Sequence, residues 1–295
     1  MLDLDGTIVH AGVDVSPAVC AALGHAHELG CVLAVSSGRP LGMMPRSVLR
    51  MGVMDYYLCA NGAKVYDRAG AELFSNDMGK DEVKQLIEAL VPFGARWNVH
   101  SGGHSWIERN GVSYMIAEAT PKKLKQLVPR SPRHLRSIAL SLVHRFVGER
   151  GKRIVRSILP VVDSHERFEK VGCSFPSAQA CEDAAALARG LGIFEVARVW
   201  DCELEITSAG VTKGTTADWL MAHLCIERAR SVAFGDSMND APLIGHVGRF
   251  VAVGNASDDL KELSDEVCAT LSEDGVARWL EEQMEEASAA DAADN

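Results

Sequence analysis

The chain has 295 residues, of which 47% are apolar and 24% charged, and its formal net charge is −10 at pH 7. This length suits one large α/β domain or two modest ones, and the composition excludes a disordered chain. Its apolar runs stay far below the ~20 residues of a membrane span, and the negative charge argues against nonspecific binding to nucleic acid. We therefore expect neither a membrane nor a nucleic acid as a partner.

The N-terminus and the cysteines indicate the compartment. The first residues, Met-Leu-Asp-Leu-Asp, do not resemble a secretory signal, and the eight cysteines include no CxxC pair. Reduced, buried cysteines are a better interpretation than disulfides or a zinc site. We expect a cytoplasmic protein.

Short apolar runs alternate with helical patterns at both ends of the chain, which favours βα units. Ser16-Pro17 is typical of a helix start, and Gly30 ends that helix. Buried strands are predicted at 31–35 and 56–59, and the second is followed by Asn61-Gly62. The C-terminal third repeats this alternation from Thr215 to a final helix at 273–286.

The middle of the chain has a different pattern. A helix over 81–90, a strand pair over 96–110 that turns at Gly102-Gly103, and strands at 194–200 and 203–207 are predicted. We predict a discontinuous core over 1–79 and 208–275, an inserted α/β domain over 80–207, and a helix end with an acidic tail over 276–295. The expected class is α/β, with a doubly wound, Rossmann-like parallel sheet in the core.

Two carboxylates lie at the start of the chain. Asp3 and Asp5 are two residues apart, so in an extended segment both face the same side. Ligands bind at the carboxyl ends of the strands in open α/β sheets. Two carboxylates there suit a nucleophile with an acid/base partner, although Asp-Gly-Thr alone is also an ordinary turn.

Two further segments carry groups that bind phosphate. Ser37-Gly38-Arg39 follows a predicted strand and offers a hydroxyl and backbone N–H groups. Lys213 precedes a predicted helix and offers a point charge. A nucleotide-binding P-loop is excluded at that position because Lys213 precedes Gly214 instead of following it. In isolation, each segment is also compatible with a solvated loop.

An acidic loop follows the strand predicted at 231–234. Asp236 and Asp240 lie in Gly235-Asp-Ser-Met-Asn-Asp240. Mg²⁺ prefers oxygen ligands, typically one or two carboxylates with water and substrate phosphate. Together with Asp3, this loop supplies candidate ligands, although Asp-rich and Asn-rich loops are also common as turns.

In this order, the motifs resemble those of the haloacid dehalogenase (HAD) superfamily, and more closely its Cof-type, subfamily IIB branch of sugar-phosphatase-like enzymes. The resemblance covers about residues 1–275 and implies a C2-type α/β cap between the second and third motifs. The segments that carry it are Asp3-Leu-Asp-Gly-Thr7, Ser37-Gly-Arg39, Asn61-Gly-Ala63, Gly210-Val-Thr-Lys-Gly214, Gly235-Asp-Ser-Met-Asn-Asp240 and Gly254-Asn-Ala256.

The resemblance implies a Mg²⁺-dependent phosphatase that hydrolyses a small phosphorylated metabolite, such as a sugar phosphate, through an aspartyl-phosphate. Asp3 would be the nucleophile and Asp5 the acid/base. The other implied roles are phosphate binding by Ser37, Gly38, Lys213 and Asn239, Mg²⁺ binding by Asp3, Asp5, Asp236 and Asp240, and substrate contact by Arg39 and Asn61.

Two other functions remain open from the sequence. One is a phosphomutase that uses the same intermediate. The other is a catalytically impaired binding homologue, because only Met1 and Leu2 precede Asp3. Separately, residues 121–156 hold eleven basic residues against Glu149 alone. This stretch is expected either to be a solvated face or to attract anionic substrate.

Overall fold

The computed structural model describes residues 1–10, 14–109 and 151–293. In these residues the strands are β1 Val9–His10, β2 Asp14–Val15, β3 Ala34–Ser36, β4 Tyr56–Cys59, β5 Lys64–Asp67, β6 Glu72–Ser75, β7 Met78–Gly79, β8 Arg96–Ser101, β9 His104–Glu108, β10 Lys152–Val155, β11 Arg167–Phe168, β12 Lys170–Ser174, β13 Phe194–Trp200, β14 Glu203–Ser208, β15 Val232–Gly235, β16 Arg249–Ala252 and β17 Glu266–Val267. The helices are α1 Pro17–Glu28, α2 Arg46–Met51, α3 Lys80–Leu90, α4 Leu159–Ser164, α5 Ala178–Gly190, α6 Lys213–His223, α7 Asp258–Leu263 and α8 Gly275–Ala293.

The chain forms two compact units. The first comprises residues 1–38, 44–75 and 212–295, and the second comprises residues 39–43 and 76–211. The larger part of the second unit spans nearly the same residues as the insertion predicted at 80–207. Each unit is built around its own sheet.

The first unit holds a mainly parallel sheet. β3 and β4 are parallel, as are β15, β16 and β17, whereas β5 and β6 continue the β4 edge in antiparallel fashion. The N-terminal segment connects the two halves, because Leu2 forms parallel bridges with both Val35 and Phe234. The carboxyl ends of these strands therefore meet at one edge, where ligands bind in α/β folds.

Local sequence signals explain the helices of this unit. The Ser16 hydroxyl accepts a hydrogen bond from the Val19 amide at 3.1 Å and Pro17 occupies the first turn, so α1 starts where the sequence predicted. In α1, Val19, Leu23 and Ala26 are buried at helical spacing.

The second unit has a six-stranded sheet in the order β10-β9-β8-β12-β14-β13, and among these pairs only β9 and β10 are parallel. One face of this sheet is apolar and packs with residues of α3, α4 and α5 in a shared core that includes Val99, Val171 and Ile206. The strand pair predicted to turn at Gly102-Gly103 is present as β8 and β9.

Some local predictions were wrong. The run 31–35 was predicted as a buried strand, but β3 starts at Ala34, and Cys31 and Val32 are exposed because the chain is still leaving α1. Cys225 is also exposed, so the cysteines are not uniformly buried. The final helix was predicted to end at 286, whereas α8 continues to Ala293.

Most of the basic stretch lies outside the described residues. Lys152 and Arg153 belong to β10, and Arg156 follows that strand. The effect of this stretch on substrate attraction therefore stays a prediction.

Across the described ranges, no helix combines the length and the apolar character that crossing a membrane requires.

Candidate active site

The segment that carries Asp3 is fixed on both sides by backbone hydrogen bonds. Leu2 donates to Ala34 O at 2.8 Å and accepts from Ser36 N at 2.8 Å, and Asp3 donates to Phe234 O at 3.0 Å. The chain then turns, because the amides of Ile8 and Val9 donate back to the carbonyl of Leu4. Asp3 and Asp5 consequently lie at the carboxyl end of the sheet's central segment, as their spacing predicted.

A buried ion cluster forms at this edge. Lys213 Nζ donates to Asp3 Oδ1 at 2.7 Å and to Asp240 Oδ1 at 2.6 Å. The three residues are 1%, 6% and 0% exposed for Lys213, Asp3 and Asp240, respectively. Buried charges persist only when they are paired, so this arrangement holds the Asp3 carboxylate in one position.

The start of α6 places Lys213 in the cluster. The Thr212 hydroxyl caps the helix by accepting from the Thr215 amide at 3.0 Å. At Gly214 a Cβ would lie 2.0 Å from Pro242 O, so only glycine lets the helix approach the turn that follows Asp240. The Lys-Gly order seen in the sequence thus has a packing cause.

The acidic loop after β15 is organised by Asp240. Its Oδ2 accepts from the backbone amides of Asp236 and Ser237 at 3.1 and 3.2 Å, while its Oδ1 accepts from Lys213. One carboxylate therefore closes the loop and also orients the lysine. Asp236 is less buried and its carboxylate joins Asp3 and Asp240 in one group.

The pKa values reflect the excess of acids. Burial raises the pKa of Asp3 well above its usual range, Asp240 adds to this, and Lys213 opposes it. Burial, with Asp240 again, raises the pKa of Asp236 to about 7. Burial lowers the pKa of Lys213, but the carboxylates of Asp240 and Asp3 outweigh it and leave that pKa above its usual value. One ammonium does not neutralise the buried carboxylates.

This imbalance fits a divalent cation. Asp3, Asp236 and Asp240 each offer a carboxylate oxygen, and the three oxygens lie within 4.8 Å of one another. Oxygen donors of this kind suit a hard cation such as Mg²⁺ and not a soft, thiolate-preferring metal. Asp5 is predicted to bind the cation through its backbone carbonyl, which this group of side-chain oxygens does not test, and the charge of the Asp5 carboxylate contributes to the raised pKa of Asp236.

The other predicted residues occupy different positions. Ser37 is 3% exposed at the exit of β3, its carbonyl accepts from the Asn61 amide at 3.1 Å, and Asn61 is itself 7% exposed. The Asn239 side-chain oxygen, Oδ1, accepts from the Ser237 hydroxyl at 2.6 Å. Gly38 is half-buried beside Ser37. Arg39 falls in the second unit and donates to Met43 O at 3.0 Å. The functional roles of these residues remain predictions.

Two residues near the site, Asn255 and Thr216, were not predicted from the sequence to have a function. The Asn255 side-chain Nδ2 donates to Gly6 O at 2.8 Å and its Oδ1 accepts from the Leu271 backbone amide at 2.7 Å, which ties the turn after Asp5 to the C-terminal part of the unit. The only sequence signal for Asn255 was the segment Gly254-Asn-Ala256, which belongs to the family resemblance. Thr216 donates to Gly62 O at 2.8 Å and had no signal, because a threonine in a helix is an ordinary residue.

Comparison with known proteins identifies the family. Residues 1–280 match the family described as haloacid dehalogenase-like hydrolase. The chain belongs to this family. The HMP-PP phosphatase of Serratia proteamaculans (strain 568) is 26% identical over 287 residues, which cover 95% of this chain and 92% of that protein. Phosphatase YwpJ of Bacillus subtilis (strain 168) is 25% identical over 291 residues, with 95% and 97% covered.

Solved structures show the same HAD fold. A haloacid dehalogenase-like hydrolase from B. subtilis superposes with a TM-score of 0.81 at 22% identity, covering 95% of this chain and 98% of that one. A HAD subclass IIB sugar phosphatase superposes with a TM-score of 0.73 at 19% identity, covering 95% and 97%. The comparisons confirm the family, the α/β fold class and the enzyme class, a phosphatase, that the motifs predicted.

Proposed function

We propose that this HAD-like hydrolase is a Mg²⁺-dependent phosphatase that hydrolyses a small phosphate monoester through an aspartyl-phosphate on Asp3. The observation that carries the proposal is the buried cluster in which Lys213 contacts both Asp3 and Asp240. A carboxylate fixed by an ammonium at the carboxyl end of a sheet is arranged to attack, and the same ammonium can hold the group that is transferred.

In the proposed first step, a carboxylate oxygen of Asp3 attacks phosphorus and the bond from phosphorus to the ester oxygen breaks. Asp5 gives a proton to the departing alcohol. In the second step, Asp5 takes a proton from water as the water oxygen attacks phosphorus, which releases orthophosphate and restores the Asp3 carboxylate. The two residues are close in sequence and share the turn at the sheet edge.

Binding of the phosphoryl group is assigned to Ser37 and Lys213. The Lys213 ammonium supplies positive charge, and the buried Ser37 supplies a hydroxyl from the neighbouring strand. This division of labour is needed because phosphate monoester hydrolysis requires accelerations up to ~10²¹, whereas one acid/base group supplies only ~10²–10⁴.

Asp3 and Asp236 would hold Mg²⁺, with Asp240 beside them and the Asp5 backbone carbonyl as a further oxygen donor. When bound, Mg²⁺ supplies positive charge that stabilises the phosphoryl oxygens as charge develops. Asp236, whose pKa is raised to about 7, must lose its proton before it can act as a ligand, so cation affinity should rise between pH 6 and 8.

The substrate class comes from the relatives. One relative is an HMP-PP phosphatase and one structural neighbour is a sugar phosphatase, so HMP-PP and sugar phosphates are the compounds to test first. We further propose that the second unit is the α/β cap that the family resemblance implies.

A panel of phosphorylated metabolites tests the function. Wild-type protein is assayed with p-nitrophenyl phosphate, sugar phosphates and HMP-PP, in Mg²⁺ and in excess EDTA, with orthophosphate release as the measurement. We expect turnover in Mg²⁺ only, and a loss of at least about 10³-fold in Asp3→Asn. The matched control is Asp183→Asn, an exposed aspartate on α5, which should keep the wild-type rate. Turnover that survives EDTA or the Asp3→Asn change would refute the proposal.

A further inference from the structure

The loop after β4 has an unusual backbone. Ala60, Asn61 and Gly62 are consecutive and all have positive φ, at 52°, 59° and 103°. For residues with a Cβ, each such conformation costs about 1–2 kcal/mol, so a run of this kind persists only where the surroundings enforce it. Ala60 and Asn61 are also buried, at 0% and 7% exposed, so water does not stabilise the turn.

Hydrogen bonds from this turn lead to two different parts of the first unit. The Asn61 amide donates to Ser37 O at 3.1 Å. The Gly62 carbonyl accepts from the Thr216 hydroxyl at 2.8 Å, in a buried contact. Thr216 lies three residues after Lys213 in α6, so the strained turn connects the element that carries Ser37 with the helix that carries Lys213.

The turn packs closely against α6. A Cβ at Gly62 would lie 2.4 Å from the Thr216 hydroxyl oxygen and 2.5 Å from Thr212 O. Thr216 is 2% exposed. A helical threonine commonly bonds its hydroxyl to the carbonyl four residues earlier. Here Thr212 O accepts the Thr216 amide at 3.2 Å, while the hydroxyl is used for Gly62 instead.

We propose that Thr216 is a positioning residue for phosphate binding: through its hydroxyl and the strained turn Ala60–Gly62, it sets the distance between Ser37 and Lys213. The inference rests on the proposed function, because it takes these two residues as the phosphoryl ligands. A buried carbonyl that loses its donor costs free energy, and the strained turn can then relax away from α6. Ser37 and Lys213 would no longer be spaced for one phosphoryl group. The Mg²⁺ carboxylates would keep their positions, because Asp236 and Asp240 are held by their own loop.

The test compares Thr216→Val, which keeps the shape and removes the hydroxyl, with Thr216→Ser, which keeps the hydroxyl. The measurements are the affinity for orthophosphate by calorimetry in Mg²⁺, and separately the half-saturating Mg²⁺ concentration from Mg²⁺-induced thermal stabilisation. The matched control is Thr207→Val, a buried threonine of the second unit whose hydroxyl donates to Val211 O at 2.9 Å.

We expect Thr216→Val to weaken orthophosphate binding by about tenfold, the size of effect that one lost buried hydrogen bond produces. Thr216→Ser should stay within about twofold of wild type, and the half-saturating Mg²⁺ concentration should be unchanged in both. Thr207→Val should lower thermal stability without changing orthophosphate affinity. These readouts need no turnover, so they separate this inference from the proposed function, which fails if the wild-type protein releases no phosphate from any ester.

Three results would overturn the inference. The first is wild-type orthophosphate affinity in Thr216→Val. The second is equal weakening in the Val and Ser variants. The third is a loss of folding in both Thr216→Val and Thr216→Ala while Thr216→Ser folds, because the hydroxyl would then serve the fold and not the spacing of the phosphate ligands.

Discussion

Replacing Asp236 by Asn should stabilise the metal-free protein more at pH 8 than at pH 5. In the folded protein, burial and the charges of Asp240 and Asp5 raise the pKa of Asp236 from 3.8 to about 7. The folded state therefore binds this proton more tightly than the unfolded state does. As a result, the free energy of unfolding falls as pH rises from about 4 through 7.

The size of the effect follows from the shift. A change in pKa from 3.8 to about 7 is about 3 pK units. At 1.36 kcal/mol per unit, ionisation of Asp236 lowers the free energy of unfolding by at most about 4 kcal/mol once the pH exceeds 7. Asp236 is partly exposed, so water reduces this figure. We expect Asp236→Asn to raise the free energy of unfolding at pH 8 by about 2 kcal/mol. For a unit of this size, that gain corresponds to a rise in melting temperature of about 4–8 °C.

The assay is thermal unfolding in EDTA at pH 5 and pH 8, with Asp183→Asn as the control that should stay within about 0.5 kcal/mol of wild type at both values. On the proposed role of Asp236 as a Mg²⁺ ligand, we also expect Mg²⁺ to stabilise the wild-type protein and to stabilise Asp236→Asn much less. An Asp236→Asn variant no more stable than wild type at pH 8, or equally stabilised at pH 5, would contradict the account of the site's electrostatics.

Two other substitutions test the contacts of the site. Lys213→Met leaves Asp3 and Asp240 buried without their cation, so we expect no detectable turnover and a loss of about 3–5 kcal/mol in urea unfolding at pH 8; wild-type stability would show that the ion cluster is not formed. Asn255→Asp keeps the acceptor for Leu271 and removes the donor to Gly6 O, so kcat should fall about tenfold while KM changes little. An unchanged kcat would mean that this contact does not position the turn that contains Gly6.

The sequence predicted the charged part of the site well for a physical reason. Strand ends in a parallel sheet meet at one edge, so Asp3, Asp236 and Asp240 could be placed together from their positions after apolar runs. Lys213, which in isolation is also compatible with a solvated loop, was placed in the site by the resemblance to the HAD motifs, and in the structure it contacts two of those carboxylates. The positions of side chains at strand ends can therefore be predicted from the sequence, whereas their roles stay predictions.

Other features depend on tertiary contacts that no local pattern reveals. Thr216 is defined by the carbonyl it meets across the unit, and Ala60 adopts a positive φ although alanine does not favour one. The strand predicted from Cys31 starts only at Ala34, because pairing with the N-terminal segment and β4 decides where β3 begins. The sequence period alone could not give that boundary.

The central claim is that the phosphoryl group passes through Asp3, and acid quenching of the enzyme during turnover tests it most directly. Protein mixed with a good substrate in Mg²⁺ is quenched within milliseconds, digested at low pH and examined by mass spectrometry. We expect a phosphorylated peptide that contains Asp3, and we expect this peptide to be unphosphorylated in EDTA and in Asp3→Asn. Orthophosphate release without phosphorylation of that peptide, or with phosphorylation of another residue instead, would contradict a covalent intermediate on Asp3.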